Sequence, residues 1–322
     1  MIDTVPYKTK QFFFVLIKIS IVVAAFYFIY QKLAQNSDLK FSVFTELLAK
    51  NTLFSLKNGI ILAFLSFFNW FFEIVKWQQL VTPIQNISFK NALEQTLGAL
   101  TASLFTPNRI GEYGAKAMYF TKDYRKRILL ITLIGNLIQM GVTVLFGCVG
   151  IYFFMKEFQV VLNVSNMLKI LIIGLIVIAI IVFFIRKTKW SIKGFSFEKI
   201  STFIKNYPMN IMVYGLVLSL LRYFIFSFQF YYLLTLFGIE ISYLQAMMLV
   251  TSMYLLASII PSIFAFDVVV KGSVAVYLFG FMDVNAVTVL CIVTLMWVFN
   301  FVIPSVFGSY FVLKFNLPET NS

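Results

Sequence analysis

Apolar residues in this chain run in long unbroken stretches rather than alternating or recurring on one helical face. Six stretches, residues 12–30, 59–77, 129–154, 168–185, 211–237 and 286–313, each fall in or above the range of about 17–25 residues that a helix needs to cross a bilayer. The pattern predicts an all-α polytopic integral membrane protein with six spanning helices. Lys8 and Lys10 precede the first stretch, as in a secretory leader. That stretch is too long for a leader's apolar core and no small-residue cleavage site follows Tyr30, so it reads as a retained span. Lys18 inside it reads as a side chain reaching toward the interface.

Two further apolar segments are interrupted. Residues 89–119 are broken at Thr106-Pro107-Asn108-Arg109-Ile110-Gly111-Glu112, and residues 243–278 at Pro261-Ser262, with Asp267 following. Proline removes a backbone donor and clashes with the preceding helical turn, and it pushes the residue before it out of the helical region. Each segment is therefore expected to form two half-helices joined by irregular backbone, with Pro107, Gly111 and Pro261 at the breaks. Such backbone is tolerated within a membrane only where protein buries it or where it lines a wet cavity. The shortness of residues 91–105, with Glu94 and Gln95 among them, favours re-entrant segments over spanning ones. Re-entrant segments place both termini inside; full crossing would make eight spans with both termini outside.

Composition agrees, with 61% hydrophobic and 12% charged residues against about half and a quarter in soluble domains. The excess of 26 Lys and Arg over 13 Asp and Glu lies mostly in short loops. Lys122, Arg125, Lys126 and Arg127 fill one, and Arg186, Lys187, Lys189, Lys193, Lys199 and Lys205 fill another, so both are expected on the cytoplasmic side of a cell membrane. The second loop, the basic connector 186–210, carries Ile192, Phe195, Ile200, Phe203 and Ile204 among its lysines. It reads equally as a solvated connector or as an amphipathic helix lying on anionic lipid. No nucleic-acid motif accompanies the charge. There is no histidine, and Cys148 and Cys291 lie within apolar runs with no metal-site spacing.

The whole chain, 1–322, reads as one membrane domain containing an internal duplication, residues 59–154 and 211–313. Ala92 precedes Pro107 by the same spacing as Ala246 precedes Pro261, and Phe89 and Tyr243 stand three residues before the alanines. After each proline comes an acid with a lysine four residues later: Glu112 with Lys116, and Asp267 with Lys271. Three spans separate the two units if the broken segments are re-entrant. That odd number inverts the second copy, and inverted repeats with broken helices are a transporter architecture.

Charged residues inside membrane segments are candidates for function. Glu112 and Lys116 share a helical face in the favourable order, as do Asp267 and Lys271; the plainer reading is a self-neutralising ion pair. Arg109 lies in the break, where it and the free amides of a half-helix starting near Ile110 would suit an anion. Arg222 lies half-way along its span and is expected to face the bundle interior. Glu73 and Lys76 near a span end, and Trp70, Trp77 and Trp190, read as interfacial. Asn136 and Gln139 share a face and read as hydrogen-bonding between helices. The substrate path is thus assigned to Arg109, Glu112, Lys116, Arg222, Asp267 and Lys271, with no catalytic and no metal residues.

At Pro107-Asn108-Arg109-Ile110-Gly111-Glu112, followed by Lys116, the chain resembles the transmembrane, flippase-type region of lysylphosphatidylglycerol synthases, a family with a P-x-R-x-G-E element followed by a basic residue. Pro261 and Asp267 are similar to that family's second motif, and the resemblance spans roughly residues 53–313. The chain departs from the family at 262–266, which lack the usual glycines, and at Asn136 and Gln139, which stand where charges are common. No counterpart of the synthases' soluble aminoacyl-transfer domain is expected. The resemblance implies lipid translocation rather than lysine transfer. The expected function is a flippase or transporter moving a phospholipid or polyprenyl-phosphate-linked head group through a polar groove, with lipid as substrate and anionic lipid at the cytoplasmic face as partner. No cofactor is expected: the chain has no G-x-x-x-x-G-K-[ST] loop for ATP and no G-x-S-x-G elbow. Transport would run downhill or on an ion gradient. The alternatives are an integral-membrane transferase using lipid-linked donors, distinguishable by divalent-metal dependence, and a non-catalytic scaffold for a partner enzyme.

Overall fold

The computed structural model describes residues 16–20, 23, 27, 55–104, 106, 109–159, 191–192, 195–259 and 267–317. Ten helices are numbered here in chain order from residue 55: α1 (Leu56–Val81), α2 (Phe89–Ser103), α3 (Gly111–Met118), α4 (Lys122–Glu157), α5 (Phe197–Lys205), α6 (Met209–Leu236), α7 (Tyr243–Ile259), α8 (Asp267–Gly280), α9 (Ala286–Trp297) and α10 (Ile303–Lys314). A π-helical turn, Val298–Val302, joins the last two. The one sheet among the described residues is an antiparallel ladder in the basic connector, Ser191 opposite Ser196 and Ile192 opposite Phe195.

Among the described residues, four helices are long and apolar enough to cross a membrane: α1, α4, α6 and the continuous Ala286–Lys314. They coincide with four of the six expected spans. The stretch 168–185 lies outside the described residues, and so does most of 12–30. The 15 residues of α2 rise about 22 Å at 1.5 Å each, short of the hydrocarbon thickness of about 30 Å. The long helices leave large apolar side chains on their outer faces, among them Phe64 and Phe67 on α1, Leu145 on α4, Phe224 on α6 and Phe307 on α10. Water would not tolerate so extensive an apolar surface; lipid does.

Helix starts follow local chemistry. Ser88 caps α2 by accepting from the Asn91 amide at 3.2 Å, and Ser242 accepts from the Gln245 amide at 3.3 Å at the start of α7. Gln245 reaches back to the Ser242 amide, completing a reciprocal cap.

Small residues decide which helices touch. At Gly150 of α4, an added Cβ would meet Thr251 Oγ1 and the Met248 carbonyl of α7, and at Gly147 it would meet Leu255 Cβ. At Gly308 of α10 it would meet the Leu97 carbonyl and Thr101 Oγ1 of α2. Helices in lipid associate by close approach at such positions, since apolar burial offers little gain there. The result is an exchange: α2 packs on α10 at the far end of the chain, α7 packs on α4, and α1 packs on α6.

Lys18 does not simply reach for the interface. Its ammonium donates to the Leu313 and Phe315 carbonyls at 2.7 and 3.0 Å, at the C-terminal end of α10 where orphan carbonyls favour a cation. The connector's α5 carries Phe203, which packs with Tyr207 against the cluster around Trp77 and Leu80. The buried Tyr207 hydroxyl donates to the Leu80 carbonyl, and burial pushes its phenol well above the ordinary value, so it stays a donor. Replacing a hydroxyl that makes one internal bond costs about 1 kcal/mol, so Tyr207→Phe should lower the thermal stability of the purified protein by about that amount.

Candidate functional site

A cavity of about 280 Å³ opens between the two halves of the chain. Its polar wall carries Asn69 of α1, Arg109 of the first break, Gln139 of α4, Arg222 of α6 and Lys271 of α8. The rest is largely apolar and aromatic, including Phe226, Tyr254 and Phe301.

The break that presents Arg109 is stitched by Thr106. Its hydroxyl donates to the Ser103 carbonyl at 2.7 Å and accepts from the Gly111 amide at 2.9 Å. One of the half-helix amides expected to be free, that of Gly111, is therefore occupied. Gly111 opens α3 because a Cβ there would stand 2.8 Å from Thr106 Cγ2 and 3.0 Å from the Ala102 carbonyl. Arg109 has φ of 57°, a left-handed conformation that costs a non-glycine residue energy and clusters at functional positions. Its guanidinium lies 5.8 Å from the centre of the Phe301 ring, as does the Lys271 ammonium.

Two glutamates stand behind the wall, each gripped by an arginine and a lysine. Glu112 pairs with Arg109 at 3.0 Å and with Lys116 at 2.8 Å. Glu73 pairs with Arg222 and, at 2.7 Å, with Lys76. In both triads the lysine is buried, 2% exposed, and the arginine is the member that reaches the cavity. Lys116 also lies 4.3 Å from the centre of the Trp77 ring, one residue from Lys76, so the triads are neighbours.

Glu112 and Lys116 do not line this cavity; they pair behind Arg109. Two expectations are corrected. Glu73 and Lys76 are not interfacial, because they fall on the α1 face that packs inward, where the glutamate holds Arg222. Trp70 and Trp77 are buried rather than interfacial: Trp70 donates to the Asn300 carbonyl at 3.0 Å and Trp77 to Gln95 at 2.8 Å. Asn136 bonds the Tyr113 hydroxyl at 3.0 Å, while Gln139 both bridges to α6 and lines the cavity. Pro107, Pro261 and Trp190 lie outside the described residues. Asp267 opens α8 one turn before Lys271; its side chain is outside them too.

Residues unmarked in the sequence complete the wall. Arg222 Nε donates to both oxygens of Asn69 at 3.1 Å, and Asn69 donates to Asn300 at 2.8 Å. Asn300 in turn donates to Gln229 at 2.9 Å. The π turn makes this possible, since its wider ladder frees carbonyls for other donors: that of Phe299 accepts from Ser66 and that of Asn300 from Trp70. The polar residues Asn69, Gln229 and Asn300 carried no motif; their positions inside apolar spans were the available signal.

No curated protein matches the chain, and no solved structure does. The family model described as the lysylphosphatidylglycerol synthase TM region matches residues 15–308. With four helices among the described residues long and apolar enough to cross a membrane and that match over nearly its whole length, the chain belongs to the lysylphosphatidylglycerol synthase TM region family, a lipid-related family of membrane proteins, and is a multi-pass membrane protein.

Proposed function

We propose that the chain is a lipid flippase or transporter of the cytoplasmic membrane, not an enzyme, moving a phospholipid or polyprenyl-phosphate-linked head group. The observation that carries this reading is the cavity itself: a polar wall bearing Arg109, Arg222 and Lys271 set between apolar helices. A head group's charge is costly in hydrocarbon, by about 2.5–3.5 kcal/mol for a charged side chain on insertion scales. A wall of oriented charge and amide groups lowers that barrier. At about 280 Å³ the cavity sits at the lower end of ligand pockets, about 300–1,000 Å³. It fits a head group, with the tails left in the surrounding lipid.

The packing supports the duplication on which the reading draws. An offset of 154 residues relates Ala92 to Ala246 and Pro107 to Pro261, and the capping serines Ser88 to Ser242. The same offset relates Leu97 and Thr101, which meet Gly308, to Thr251 and Leu255, which meet Gly150 and Gly147. Two copies of one unit, each lending its last span to the other's broken segment, make a cavity at their junction. Re-entrant segments and inverted copies complete this reading.

The test is the full chain reconstituted into vesicles with head-group-labelled phospholipid and a membrane-impermeant quencher. Inner-leaflet label should become accessible in protein-bearing vesicles. Because a hydrogen bond to a charged group contributes about 1.5–3 kcal/mol, Arg109→Gln should slow exchange about tenfold or more; Asp267→Asn should slow it as well. Rates equal to those of protein-free vesicles would end the transport reading.

A further inference from the structure

The polar inventory of the cavity wall is one-sided. Its amide oxygens are spoken for: Asn69 and Gln139 accept from Arg222 at 3.1 and 3.3 Å, and Asn300 accepts from Asn69 at 2.8 Å. What remains unmatched is one guanidinium N–H and two hydroxyls, each with a proton to donate. The Tyr223 and Tyr254 hydroxyls and Arg109 Nε are buried and without a hydrogen-bond partner. Tyr223 is 5% exposed as a whole, and its ring and that of Tyr254 meet edge to face with centres 6.1 Å apart, so both hydroxyl-bearing rings belong to one corner of the wall. Buried donors left unpaired are costly, and a shared cavity is where an outside acceptor would satisfy them.

Charge points the same way. Each triad is one carboxylate against two cations, so each carries one net positive charge, displayed by its arginine at the cavity. Lys271 follows Asp267 by four residues in the sequence and is left out of this count. No acid lies on the wall among the described residues. A wall of two net positive charges, with its amide oxygens already accepting, favours an anion over an ammonium group. It matches an anion of about −1.5 to −2 with three acceptor oxygens, which is a phosphate monoester; a phosphodiester brings one charge and fewer free oxygens.

Resting on the transport reading above, we propose that this cavity seats the terminal phosphate monoester of a lipid, with Arg109 and Arg222 on its charge and Tyr223 and Tyr254 donating to its oxygens, in preference to a zwitterionic head group. A polyprenyl phosphate and a phosphatidate share this chemistry. Glu73 and Glu112 do not touch the ligand; they hold the arginines in place.

The full chain in detergent, titrated while the fluorescence of Trp70 and Trp297 at the cavity is read, tests this. The probes are farnesyl phosphate, lysophosphatidate, lysophosphatidylcholine and farnesol. Both monoesters should bind about tenfold or more tighter than the zwitterion and the alcohol. Whichever monoester binds tighter names the lipid. Arg109→Gln should weaken monoester binding about tenfold or more. The shape-conserving pair Tyr223→Phe and Tyr254→Phe should weaken it about fivefold and leave lysophosphatidylcholine unaffected. Equal or tighter binding of lysophosphatidylcholine, or monoester binding indifferent to all three substitutions, would overturn the proposal. Monoester selectivity without exchange in vesicles removes transport and keeps this site; exchange without selectivity removes this site alone.

Discussion

Glu112→Gln should be among the most destabilising single substitutions in the chain. Glu112 is 7% exposed and is the partner of both Arg109 and Lys116. Arg109 is 38% exposed at its side chain and finds other solvation once released. Lys116, 2% exposed, does not, because it is left against the face of the Trp77 ring. Removing one member of a buried pair and stranding the other costs about 3–5 kcal/mol. Replacing both by apolar groups of similar volume is often neutral or better. The full chain carrying Glu112→Gln should therefore unfold at markedly lower temperature in detergent, and Glu112→Gln with Lys116→Met should regain most of the loss. Lipid exchange should stay low in the double variant, since Arg109 has lost its anchor. A single variant as stable as the unsubstituted chain would show that the triad is not a buried network.

What the sequence discloses about this protein follows from its solvent. Lipid demands unbroken apolar helices, so α1, α4, α6 and Ala286–Lys314 are visible as runs of residues alone. The i, i+4 spacing of Glu112 and Lys116 makes their pairing visible too. Position along a span says nothing about which side of it a residue occupies. Glu73 and Lys76 therefore read as interfacial by depth, although they stand on the inward face of α1 and close a triad with Arg222 from another helix. The residue separation of that contact, 149, leaves no local trace. The π turn at Val298–Val302 has no sequence signature, and with it Asn300 escapes notice, although its side chain ties α1, α6 and α9 together. Small residues were equally silent, since a glycine in lipid is ordinary until its neighbour is known.

That silence makes the exchanged crossings the second place for a decisive test. Gly150→Ala and Gly308→Ala should each loosen the bundle and abolish transport. In both, the added methyl points at a backbone carbonyl as well as at a hydroxyl: Met248 O, at 2.9 Å from the Gly150 Cβ position, and Leu97 O at Gly308. A side chain can rotate aside, but a carbonyl held in a helix moves only if the helix moves. Overpacking of this kind costs about 1–3 kcal/mol, occasionally more. Displacing α7 from α4 carries away Tyr254 and Ser258 of the cavity wall, and displacing α2 from α10 shifts the break that presents Arg109. Gly141, with nothing within 4 Å of its Cβ position, is the control. Alanine is better than glycine within a helix by about 1 kcal/mol, so Gly141→Ala should melt no lower than the unsubstituted chain and exchange lipid normally. On the proposed duplication the two crossing variants should lose exchange to a similar degree, because each parts a short helix of one half from the last span of the other. A tolerated methyl at one crossing beside a damaging one at the other would mean that the cavity depends on a single pairing and that the two halves are not working as equivalents.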